Sequence, residues 1–114
     1  MLSICLMPNQ TQDPKLDAIV KKLVDHFHPT KVFLFGSRAR GTADANSDYD
    51  LFLVVKESEK RPIQRMQEAN RLFWLDKAAI DIFIYTEAEY DEWKDEFSSI
   101  AHTVATEGLE LQVG

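Results

Sequence analysis

Asp48 and Asp50 stand one residue apart in the stretch LFGSRARGTADANSDYDLFLVV (residues 34–55), behind a Gly36–Ser37 pair and two arginines, Arg38 and Arg40. Side chains of an extended strand alternate faces, so two carboxylates at this spacing point the same way, about 7 Å apart. Like charges so placed repel one another unless a cation lies between them. Hard carboxylate oxygens suit Mg²⁺, which takes one or two carboxylates and completes its shell with water and substrate phosphates. The residues before them supply the complementary half. Gly36 lets the backbone turn sharply and offer N–H groups to an anion, and the Ser37 hydroxyl and the Arg40 guanidinium are natural phosphate donors. Asp81 is the other charge set in an apolar run, AAIDIFIY (78–85). It would stand beside Asp50 if the two strands pair. A lone buried carboxylate is costly without a partner or a metal, so three converging carboxylates read as a cation site. Together with the glycine-rich turn, they describe a site for a nucleoside triphosphate with Mg²⁺.

The elements that must position these residues are legible around them. DPKLDAIVKKLVDHFHP (13–29) opens with a capping residue followed by proline, and Leu16, Ile19, Val20, Leu23, Val24 and Phe27 recur at helical spacing until Pro29. KVFLFG (31–36) reads as a buried strand stopped by glycine, and residues 37–47 as a loop. DYDLFLVV (48–55) is a second strand, apolar beyond its aspartates. Pro62 starts a second helix, with Ile63, Met66, Asn70, Phe73 and Trp74 expected on one side. AAIDIFIY is a third strand, and TEAE (86–89) fits a capping box that opens an acidic helix lined by Tyr90, Trp93 and Phe97. A last helix is expected over about Ile100 to Glu107, closed by Gly108, with LELQV as an edge strand. Two strands in succession argue against a simple doubly wound parallel sheet. The expected fold class is α/β (α+β), a small mixed β-sheet with helices packed on it.

Composition bounds the partners. The chain has 114 residues, 45% of them apolar and 28% charged. That suits one domain over 13–114 after a lead-in over 1–12. A formal net charge of −6 disfavours direct binding to nucleic acid or to an anionic membrane. A basic protein partner is easier to reconcile with it. Cys5 is the one cysteine, so no internal disulfide forms, and it reads as a small apolar residue. No segment has the length of a membrane span, and MLSICLM lacks the cationic start of a signal peptide. A cytoplasmic protein is expected.

GSRARGTADANSDYDLFLVV closely resembles the signature of the DNA polymerase β superfamily, a Gly-Ser loop with a downstream Asp-x-Asp. The short length, SDYDL and the ending ATEGLELQ (105–112) make the chain similar to a minimal nucleotidyltransferase over roughly residues 13–112. The resemblance implies the nucleotidyltransferase fold, with Gly36, Ser37 and Arg40 holding the triphosphate. It implies that Asp48 and Asp50 bind two Mg²⁺ ions, and that Asp81 ligates the catalytic metal and helps activate the attacking hydroxyl. The implied reaction transfers AMP from ATP to a hydroxyl and releases pyrophosphate. Such proteins usually serve as the antitoxin of a two-gene module, AMPylating a tyrosine of a HEPN-domain RNase toxin encoded by a neighbouring gene. The resemblance assigns Arg38 no role as firm.

Two rival readings stay open. In one, the chain neutralises its partner by contact alone; in the other, the acceptor is a small molecule or a nucleic acid end. Trp93 and the acidic stretch EYDEWKDEF (89–97) would serve a contact surface, although such a stripe more often packs on the sheet. Lys60, Arg61 and Arg65 form a local basic cluster, read as a solvated helix start. His26, His28 and His102 show no metal-ligand spacing. Tyr85 and Tyr90 are conceivable self-modified acceptors, and both homo- and hetero-oligomers are compatible with the sequence.

Overall fold

The computed structural model describes residues 13–41, 48–75 and 79–111. The lead-in with Cys5, the loop residues 42–47 and Ala78 lie outside them. Helix α1 (Pro14–Phe27) starts where Asp13 caps it, its Oδ1 accepting from the backbone N–H groups of Lys15 (3.1 Å) and Leu16 (3.2 Å). It buries Leu16, Ile19, Val20 and Leu23 and ends as His28 enters the left-handed region, one residue before Pro29. Strand β1 (Lys31–Phe35), the short helix α2 (Ser37–Arg40) and strand β2 (Tyr49–Val55) follow. The first four residues of the expected loop are thus a single helical turn. Then come α3 (Pro62–Leu72), β3 (Ile80–Thr86), α4 (Glu87–Trp93), α5 (Ile100–Glu107) and β4 (Leu109–Leu111).

The four strands form one mixed sheet in the order β3-β2-β1-β4. β1 runs antiparallel to both β2 and β4, while β2 and β3 are parallel. Alternation along β2 divides the core. Tyr49, Leu51, Leu53 and Val55 join Val32, Leu34, Ile82 and Ile84 beneath α1 and α3. Phe52 and Val54 join Phe33, Phe35 and Tyr90 beneath α4 and α5. The second layer is aromatic: Phe33 stacks on Tyr90 at 5.9 Å and Phe52 meets Tyr85 at 4.8 Å between ring centroids. Asp50 precedes Phe52 by two residues, so it continues that face at the end of the strand.

Two helix faces differ from the sequence expectation. α3 buries Arg65, Ala69 and then Phe73, while Ile63 and Trp74 (82% exposed) face outward and Asn70 is exposed. The guanidinium turns inward because its donors are met there. It forks onto Glu89 (2.7 and 3.2 Å) and donates to the carbonyl oxygens of Ile84 and Lys60, both at 3.0 Å. Arg65 is therefore a tie between α3, β3 and α4 and no part of a solvated basic cluster. The acidic helix is also shorter than its stripe suggested. It ends at Trp93, so Tyr90 packs on the sheet while Trp93 and Phe97 (86% exposed) do not.

The capping box at Thr86 forms as its sequence requires. Thr86 N donates to Glu89 Oε1 (2.8 Å) and Glu89 N donates to Thr86 Oγ1 (3.1 Å). Arg65 holds the Glu89 carboxyl below its ordinary range despite partial burial. Among the described residues, no helix is long and apolar enough to cross a membrane.

Candidate active site

β1 ends at Phe35, whose register partner on β2 is Asp50, and Gly36 follows immediately. Gly36 has φ +76° and ψ −156°, a region open essentially to glycine alone. A Cβ at this position would lie 2.2 Å from Asp50 Oδ2 and 3.1 Å from its Cγ. The turn out of β1 is thus folded directly onto the Asp50 carboxylate, which only a residue without a side chain permits. Ser37 opens the turn of α2 behind it and Arg40 is the last residue of that turn.

On the other side of Asp50, the parallel ladder sets Asp81 as its direct partner. Register partners on adjacent strands share a face at a strand separation of about 4.8 Å. The two acidic positions therefore lie side by side at the same end of the sheet as Gly36. β3 is an edge strand, and Asp81 is exposed. The sequence expectation of a carboxylate embedded in an apolar strand is corrected here: the sheet edge leaves Asp81 in water, where its charge needs no buried partner. Asp48 lies one residue before β2 and is also exposed, while Asp50 is half-buried.

Among the described residues, no three His, Cys, Asp or Glu side chains are drawn together as a ready-made metal cluster. The donor set still fits Mg²⁺. Two register-paired carboxylates with a third just upstream provide hard oxygens, and this ion needs only one or two of them when water and phosphate complete its shell.

Arg38 is accounted for by the structure in a way its sequence context did not suggest. Its guanidinium lies 3.9 Å from the centroid of the Tyr49 ring, and its Nη1 is 3.8 Å from Asp13 Oδ2. Tyr49 Oη donates to the same Asp13 oxygen at 3.0 Å. Burial first, and then the Asp13 carboxylate, push the Tyr49 phenol above its ordinary range. Tyr49 and Asp13 lie 11 and 25 positions from Arg38 in sequence, and no motif joins the three. Tyr85 and Tyr90, the conceivable self-modified acceptors, are partly and largely buried, and burial raises both phenols.

A family profile described as "Nucleotidyltransferase domain" matches residues 15–111. Among solved structures, the chain is similar to a Sulfolobus solfataricus protein provisionally described as a nucleotidyltransferase. The two are 26% identical with a TM-score of 0.54, and the match covers 80% of this chain and 85% of that one. No curated protein matches the chain.

Proposed function

The chain belongs to the nucleotidyltransferase domain family, and from that premise we propose that it transfers AMP from ATP to a tyrosine hydroxyl of a HEPN-domain RNase toxin, acting as the toxin's antitoxin. The observation that carries the reading is the register pairing of Asp50 with Asp81, closed from the other side by Gly36. The resemblance of residues 36–55 and 105–112 to minimal nucleotidyltransferases supports the choice of acceptor. The −6 charge suits a basic, RNA-cutting partner.

In this reading Gly36 and Ser37 bind the triphosphate through backbone N–H groups and the Ser37 hydroxyl, and Arg40 pairs with phosphate oxygens. Asp48, Asp50 and Asp81 would hold Mg²⁺, which when bound neutralises charge on the phosphates and at the transferred phosphorus. The acceptor oxygen attacks the α-phosphorus in line. A new oxygen–phosphorus bond forms, the bond from that phosphorus to the bridging oxygen breaks, and pyrophosphate leaves. Asp81, on the exposed edge strand, takes the proton that the acceptor hydroxyl gives up.

Labelled ATP tests the chemistry. With Mg²⁺ and the purified toxin, α-labelled ATP is expected to label the toxin and γ-labelled ATP to leave it unlabelled. Asp81→Asn is expected to abolish labelling. Label arriving from the γ-position, or labelling that survives Asp81→Asn, would overturn the assignment.

A further inference from the structure

Asp13, Arg38 and Tyr49 come from three elements and meet on the opposite side of β2 from Asp50. Tyr49 alternates with Asp50 along the strand, so its ring lies in the layer beneath α1, where it is 4% exposed. Arg38 covers that ring, and Ala39 beside it packs against the same layer. Asp13 divides its two oxygens. Oδ1 caps α1 through Lys15 N and Leu16 N, and Oδ2 accepts from Tyr49 and faces Arg38. The carboxylate is thereby fixed by the helix it caps, the phenol is fixed by the carboxylate, and the guanidinium is fixed by both.

We propose that these three residues form a positioning clamp that holds the Gly36–Gly41 turn against the aspartate end of β2, so that the turn meets the phosphates of a nucleoside triphosphate already shaped. The inference rests on the triphosphate reading above and divides the labour of the two neighbouring arginines. Arg38 holds the turn from behind and is not a phosphate ligand. A preformed turn raises affinity by removing the ordering cost that a loose one would carry on binding. The contacts are of the right kind: a guanidinium over an aromatic face at this distance, joined to a carboxylate, is attractive and geometrically restrictive.

Two measurements on the full chain decide it. Amide hydrogen exchange across residues 36–41, without nucleotide, is compared between the wild type, Arg38→Met and Tyr49→Phe. Tyr49→Phe keeps the ring in the core and removes only the hydroxyl that reaches Asp13, so it guards against a variant that fails to fold. Affinity for MgATP is measured on the same proteins by calorimetry. The clamp predicts faster exchange in the turn of both variants, unchanged exchange in α3 and α4, and MgATP binding weaker by about tenfold in Arg38→Met. Unchanged exchange in the turn would overturn it, even if Arg38→Met bound MgATP poorly, because Arg38 would then be acting on the nucleotide directly. Faster exchange with undiminished affinity would also overturn it. A wild type that does not bind MgATP would instead refute the triphosphate reading, while the exchange data still judge the clamp.

Discussion

Gly36 and Asp50 approach so closely that a Cβ on the glycine would sit 2.2 Å from the carboxylate oxygen Oδ2. The end of β1 is thereby folded onto the charged end of β2, and the backbone at Gly36 takes up φ +76° to do it. Gly36→Ala should therefore be costly twice over, in backbone strain of about 1–3 kcal/mol and in displacement of Asp50. Urea unfolding is expected to show a loss in that range or above, and nucleotide transfer should fall further than stability alone explains. A variant as stable and as active as the wild type would contradict the close approach.

Arg65 is buried and donates four hydrogen bonds, two to the Glu89 carboxylate and one each to the carbonyl oxygens of Ile84 and Lys60. Removing a buried ionic partner leaves the others unsatisfied, although Glu89 is partly open to water and recovers some hydration. Arg65→Met is expected to cost about 2–4 kcal/mol by denaturant titration. Lys60→Met, whose side chain is mostly exposed and reaches Glu68, should cost about 1 kcal/mol or less.

Stability should fall in acid with a definite sign. Arg65 lowers the folded-state pKa of Glu89, and Lys60 and His26 lower that of Glu68, both from an ordinary value of 4.5. A carboxylate depressed in the folded state stabilises the protein fully above its unfolded pKa, and that contribution is lost as pH falls through the folded value. The urea midpoint should thus hold from neutral pH to about 4.5 and decline below it. Glu89→Gln should have a lower midpoint at neutral pH and a shallower acid decline. An equal decline in both proteins would contradict the role of Glu89.

Tyr90 and Phe97 of the acidic stretch should separate by burial. Tyr90 is 8% exposed and touches Phe33 and Phe52, whereas Phe97 is 86% exposed. Tyr90→Ala is expected to cost about 3 kcal/mol and Phe97→Ser less than about 0.5 kcal/mol. Thermal or urea unfolding of the two variants side by side gives the comparison.

What could be read from sequence was set by local contacts. The Asp13 cap, the Thr86–Glu89 box and the apolar face of α1 all depend on residues within four positions of one another, and each appears as its spacing requires. The α3 face did not follow, because Arg65 finds Glu89 across 24 residues and a charged side chain at a buried position carries no apolar signal. The exposure of Asp81 depends on β3 being an edge strand, a property of sheet order and not of its own apolar run. The pairing of Asp50 with Asp81 lay between these cases: it was conditional on β2 meeting β3, and the parallel ladder supplies that condition. The clamp around Arg38 required Asp13, 25 positions upstream in sequence, and no motif joins the two.

Intact-mass spectrometry of the partner tests the proposed adenylyl transfer without an indirect readout. The proposed HEPN-domain partner would be purified after co-expression with the wild type and, separately, with Asp48→Asn. A gain of one or more AMP units is expected with the wild type and none with the variant. A partner that binds tightly yet keeps its unmodified mass in both cases would contradict it, and neutralisation by contact alone would take its place.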